Sequence, residues 1–516
     1  MEENPPPSEI LEVESYHPLV VSPSPFSINP RISLHTPWDI PKILKAQNKH
    51  LIRLAFMLSW GWNPKNSALM RYCDKNKKNL HWLKRFSLEA YYGTQFTQNQ
   101  IINIVKSLKT VQSLTHFKVA GKIMHQDHLI IPLLRNFKRL QYLTLDFHNS
   151  RDADLPSIEK TFVSLKDLSR LKVIKIAFGS LQGPDDRMIK EIGLGVSRLR
   201  TLKGLCVELG QKYWGSDAGI GDVFSNWRTY EPALILSFPA SRKDISNQIF
   251  ENIIINLKSL PRLEKFELET GYYTDITDQG LDKLAVWLPQ RLQSLRLDFN
   301  TCQKVTKEGV LNLLSAIAKK CSLQDISLML SSENQIDDEV TKELLRCLNR
   351  QKGLESLFIG FDKCNMITKS ALTRFLTFIP LNSNLKSLAL SLTWLKKNLT
   401  DESLTKFGIA LAKLKGLKAL GLSFRGCNEV SNKGINDLAM KFGCLERLRK
   451  FALNFQNCPS IRGKISDNLF KGLEKLKDLE ILTLDLRHCK HLDKNEIQKI
   501  IPSSKSQGYK FLVRLE

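Results

Sequence analysis

The sequence predicts an α/β solenoid, a parallel β-sheet lined with α-helices, and two observations carry that expectation. An apolar pattern Leu-x-x-Leu-x-Leu-x-Phe returns about every 31 residues from near residue 51 to the C-terminus. Each return also joins a stretch of strand periodicity to a stretch of helix periodicity. A unit of this kind has one apolar face and buries it only against its neighbours, so units of fixed length stack into a coil.

The pattern is plain in LQSLRLDF (Leu292, Leu295, Leu297, Phe299), LESLFIGF (Leu354, Leu357, Ile359, Phe361) and LKALGLSF (Leu417, Leu420, Leu422, Phe424). Its second leucine-type position can be followed from Leu54 through Phe86, Phe117, Leu143, Ile174 and Leu205 to Leu482, about fifteen units in all. In SLRLDF, Leu295, Leu297 and Phe299 point one way while Arg296 and Asp298 point the other, the alternation of a half-buried strand. The second half is helical: Leu281, Leu284, Ala285 and Leu288 share one face, as do Val310, Leu313, Leu314 and Ile317. An N-cap type residue precedes each helix, at Thr277, Thr306, Asp337, Thr368, Thr400 and Ser431. Asp278, Asp338 and Asp401 follow, where the helix dipole favours a carboxylate.

These strings resemble leucine-rich repeats of the ribonuclease-inhibitor-like superfamily, nearest to the cysteine-containing type, in GYYTDITDQGLDKLAVWLPQRLQSLRLDFNTC and LGLSFRGCNEVSNKGINDLAMKFGCLERL. The resemblance covers roughly nine-tenths of the chain and implies a curved parallel sheet inside with helices outside. One departure stands out. The cysteine falls three residues after the Phe, a longer strand-to-helix loop than the usual repeat has.

Three segments follow from composition: a disordered Pro/Ser-rich tail over 1–30, an N-terminal cap over 31–50, and the solenoid over 51–516. Neither a basic-then-apolar leader nor an apolar run of membrane-spanning length is present, so the expected protein is soluble and intracellular, in the cytoplasm or the nucleus. Cys302, Cys364, Cys427, Cys458 and Cys489 stand at equivalent places and read as a buried column. His488, Cys489 and His491 come nearest to a metal set, and a structural role fits that trio better.

Phosphate-loop, zinc-protease and nucleophile-elbow signatures are absent, and the ten histidines are scattered. The reading is therefore a non-enzymatic scaffold without cofactor or metal, monomeric, with a protein partner. Aromatic residues just after the strands supply the candidate contact set: Trp60, Trp62, Tyr91, Tyr92, Tyr213, Trp214, Tyr272, Tyr273 and Trp394. The irregular stretch 209–233 is either a binding loop or a decayed repeat.

The net charge of +24 raises nucleic acid or anionic membrane as an alternative partner. Much of the excess sits where helices end. Outward strand positions between the leucines look acidic, at Glu89, Asp146, Glu208, Glu267, Glu269, Asp298 and Asp485, against Lys118, Lys175 and Arg296. Just upstream on the strands the sign reverses, at Lys84, Arg85, Lys172, Lys203, Lys386, Lys418, Arg449 and Lys450. A ubiquitin-ligase substrate receptor is a further alternative, because repeats of this type often follow an F-box. Residues 1–50 are short and proline-rich for such a motif.

Overall fold

In a computed structural model the chain forms two compact units, the first reaching to Lys265 and the second beginning at Phe266. The structure describes residues 53–58, 84–90, 111–121, 136–147, 168–178, 186–197, 201–208, 233–237, 247–258, 262–269 and 510–514. It also describes 275–493, apart from breaks at 301, 321, 332–334, 380–383, 464–466 and 490, and the single residues 134, 165, 199 and 260. The expected tail and cap over 1–50 and, apart from Ala233, the irregular stretch 209–233 lie outside these residues.

The first unit carries a parallel sheet whose strands follow in sequence order. They are β1 (Arg53–Leu58), β2 (Arg85–Ala90), β3 (His116–Gly121), β4 (Tyr142–Phe147), β5 (Val173–Phe178), β6 (Gly204–Glu208) and β7 (Ala233–Ser237). The register keeps the repeat phase, with Leu54 opposite Phe86, Phe86 opposite Phe117 and Ile174 opposite Leu205. Helices Asp186–Ser197 and Asn247–Leu257 bury Ile192, Val196, Phe250 and Ile253.

The second unit repeats the design with more complete helices. Its strands are β8 (Lys265–Glu269), β9 (Ser294–Asp298), β10 (Asp325–Ser331), β11 (Ser356–Asp362), β12 (Ser387–Ser391), β13 (Ala419–Ser423) and β14 (Lys450–Asn454). A short pair, β15 (Arg462–Gly463) and β17 (His491–Leu492), stands apart. The main sheet continues through β16 (Ile481–Asp485) to β18 (Lys510–Arg514). Helices Asp278–Trp287, Lys307–Lys320, Asp338–Arg350, Lys369–Phe378, Asp401–Leu411 and Asn432–Ala439 alternate with the strands.

The core lies between sheet and helices. Phe266 of β8 meets Trp287 edge-on at 5.3 Å, and Phe361 of β11 meets Phe375 at 5.2 Å. Leu295, Ile326, Leu357, Leu388, Leu420, Phe451 and Leu482 form one buried column along the sheet. Alternation of strand side chains sends one set to this core and the other to the opposite face.

Successive helix starts are joined by carboxylates. Asp278 accepts the backbone N–H of Thr306 at 2.8 Å and its hydroxyl at 2.7 Å. Asp338 does the same for Thr368 (2.7 and 2.8 Å), and Asp401 for Ser431 (2.8 and 2.5 Å). The Thr306, Thr368 and Ser431 hydroxyls in turn accept an N–H from their own helix, as expected of N-caps. A Cβ added at Gly434 would lie 2.3 Å from an Asp401 carboxylate oxygen, so this residue must be glycine for the bridge to close. These aspartates therefore tie three of the repeats to the one that follows, beyond complementing a helix dipole.

Candidate functional site

Of the nine aromatic candidates, Trp394 is the one among the described residues; Trp60, Trp62, Tyr91, Tyr92, Tyr213, Trp214, Tyr272 and Tyr273 lie outside them. Trp394 follows β12 on the edge where the strands end. It belongs to a column of residues in the left-handed region: Lys363 (φ 58°), Trp394 (57°), Gly426 (69°), Asn457 (59°) and His488 (62°). Left-handed backbone costs a non-glycine residue about 1–2 kcal/mol. Each rung is held by the next: Lys363 N–H donates to Thr393 O at 2.9 Å, Trp394 N–H to Arg425 O at 2.7 Å, and Asn457 N–H to Arg487 O at 3.0 Å.

Gly426 makes room for the tryptophan. A Cβ there would fall 2.3 Å from the Trp394 ring, so the indole lies flat against bare backbone. The guanidinium of Arg425 stands 5.9 Å from the ring centroid. The indole remains half-buried, with Lys363, Lys396, Lys397 and Arg425 exposed around it.

The cysteine column sits just behind this edge. Cys302, Cys364, Cys427, Cys458 and Cys489 are all buried, and the Sγ–H groups of Cys427, Cys458 and Cys489 donate to carbonyls of the preceding unit at 3.1 Å. Burial pushes the Cys427 thiol up to about 12, and those of Cys364 and Cys458 beyond the usual thiol range. Such thiols are packing elements and poor nucleophiles. Among the described residues no group of three His, Cys, Asp or Glu side chains is placed to hold a metal ion.

On the sheet face turned away from the helices, part of the acidic set expected from residue types is paired with cations. Three carboxylates of this face, Glu208, Asp325 and Asp485, are engaged in place. Asp325 accepts both Nε (2.9 Å) and Nη2 (2.7 Å) of Arg296, and Lys175 meets Glu208 at 2.6 Å. Asp485, 4% exposed, is clamped by Arg487 at 3.0 and 2.7 Å. Between them run Ala389, Gly421 and Ala452, while Met329, Phe358 and Ala389 form a small buried apolar cluster.

The edge where the strands begin is a third candidate. In the first unit Lys84, Thr115, Gln141, Lys172 and Lys203 occupy successive rungs, joined by N–H to carbonyl bonds of 2.6–2.9 Å. Beside them opens a groove of about 510 Å³ lined by Gln141, Ser169, Arg170, Lys172, Thr201 and Lys203. The Thr201 hydroxyl fixes one wall by donating to the carbonyls of Ser169 (3.1 Å) and Leu171 (2.9 Å).

No helix among the described residues is long and apolar enough to cross a membrane. No known family model matches the chain, and no curated protein matches it. Among solved structures, a chain of the yeast Rad7–Elc1 complex is similar over 78% of this chain and 86% of its own, with 16% identity and a TM-score of 0.43.

Proposed function

We propose that this chain is a non-enzymatic scaffold that holds a protein partner, a curved leucine-rich-repeat protein of the ribonuclease-inhibitor-like kind with about fifteen units. The observation that carries this reading is Trp394, a half-buried indole fixed against Gly426 on a rigid edge, with Arg425 beside it. Tryptophan and arginine dominate interface hot spots, and an anchor held in place before binding loses little entropy on contact. The cations around it, Lys363, Lys396, Lys397 and Arg425, favour a partner surface with acidic residues around an apolar pocket.

The test compares full-length protein with a Trp394→Ala, Arg425→Ala double variant by affinity purification and quantitative mass spectrometry, with circular dichroism to verify the fold. A partner recovered at least about tenfold less with the folded variant supports the reading. Recovery of the same proteins in the same amounts would sink it.

A further inference from the structure

The strand-start edges of the two units are each built on a backbone ladder of the same kind and carry different charges. In the second unit the rungs are Gln293, Gln324, Glu355, Lys386, Lys418, Arg449 and Glu480, and the end cations are paired: Lys386 with Glu355 at 2.5 Å, Arg449 with Glu480 at 3.5 Å. In the first unit, Lys84, Lys172 and Lys203 share the ladder with the neutral rungs Thr115 and Gln141, and the adjoining turns add Lys138, Arg139 and Arg170. Five of these six are exposed and Lys172 is half-buried; along this edge the described residues include no carboxylate.

Next to these cations, the first row of the sheet face away from the core holds Arg85, His116 and Tyr142 in register. His116 and Tyr142 stack at 4.2 Å with their planes 12° apart, and the Thr115 hydroxyl lies 2.9 Å from His116 Nδ1, which sets the ring. Both rings are half-buried. A stacked aromatic pair beside a line of cations can be extended by an unpaired nucleobase on an outer ring face, with its phosphates on the ammonium and guanidinium groups.

We propose that the strand-start edge of the first unit, from Lys84 to Lys203 and including His116 and Tyr142, binds single-stranded nucleic acid. A duplex fits poorly, because its bases are already stacked and this edge offers no helix or ribbon to enter a groove. An acidic peptide would use the cations and leave the ring pair idle.

The test is fluorescence anisotropy of the full chain with an oligothymidine and an oligouridine of about 20 nucleotides, across a salt series. The expected result is saturable binding that weakens with salt, by about 0.7 in the logarithmic slope for each phosphate neutralised. Lys172→Glu with Lys203→Glu should weaken binding at least about tenfold and flatten that slope by about 1 or more. Tyr142→Ala should weaken it about tenfold with the salt slope unchanged. Lys386→Glu with Lys418→Glu, on the second unit, should leave it intact. Whether thymidine or uridine binds more tightly separates DNA from RNA. The proposal is overturned by absent binding, by equal loss from the second-unit variant, by full competition from poly-glutamate, or by insensitivity to Tyr142→Ala. Melting curves identify any variant that fails to fold; there Lys172→Gln with Lys203→Gln serves instead and should lower the same slope.

Discussion

Along the two strand-start edges one backbone ladder is used twice, and charge at the rungs follows two rules. In the second unit a run of three like charges, Lys386, Lys418 and Arg449, is closed at each end by a carboxylate, Glu355 and Glu480, and carboxylates bridge helix starts from Asp278, Asp338 and Asp401. In the first unit Lys172 and Lys203 are neighbours of the same sign. Two unit charges about 5 Å apart repel by roughly 0.8 kcal/mol even in water, and like charges on facing strands are destabilising. A paired column explains itself as glue between units. Like-charged rungs with no carboxylate to close them add no such glue, and they form the edge proposed above to bind a ligand.

The largest effect is expected where the glue is removed. Asp401→Ala leaves the Ser431 N–H and hydroxyl without their acceptor at a half-buried helix start, a loss of about 1.5–3 kcal/mol for hydrogen bonds to a charged group. Urea unfolding should show it. Amide exchange should localise the weakening to Ser431 and the helix Asn432–Ala439. Unchanged protection there would mean that packing alone joins these units, and the contrast between the units would lose its structural half.

Much of this was legible beforehand and some of it was not, for physical reasons. The leucine phase was readable because burial of Leu295, Ile326 and Leu357 is demanded by the period itself. N-caps were readable because Thr, Ser and Asp oxygens fill a local need at Thr368, Ser431 and Asp337. The aspartates were read as dipole partners because their true acceptor role spans some 30 residues and needs the stacking register. The left-handed column is hidden because Gly426, Asn457 and His488 are residue types that tolerate such backbone, while Lys363 and Trp394 are held there by bonds to the next rung. Residue type does not reveal that two carboxylates of the outward strand set, Glu208 and Asp485, pair with Lys175 and Arg487. Most of the aromatic set falls outside the described residues, so its grouping at one edge stands as an expectation except at Trp394.

A smaller effect sharpens the comparison from the other side. Lys172→Glu places unlike charges on the rungs 172 and 203, copying the Glu355–Lys386 arrangement. Stability should stay level or rise by about 0.2–1 kcal/mol, the range of exposed ion pairs. Oligonucleotide affinity should fall at the same time. A variant more stable and less able to bind would show that the lysine is retained for a ligand at the expense of the fold. A clear drop in melting temperature would instead assign the lysine a structural role.

The smallest effect concerns the exposed charges of the second unit. Glu402 is bridged by Lys369 and Lys406, each at 2.8 Å, and these two ammonium groups, Lys369 foremost, hold its carboxyl down from 4.5 to about 2. The folded value lies below the unfolded one, so the contribution is complete above about 4.5 and disappears as pH falls from there towards 2. Glu402→Gln should flatten the stability curve in that acid window and leave it parallel to the parent above it. Because the group is fully exposed, raised salt should shrink the difference by screening both pairs. Survival of the full acid limb in Glu402→Gln would transfer that slope to other carboxylates of the unit, with Asp337, also held low beside Lys307, the next to replace.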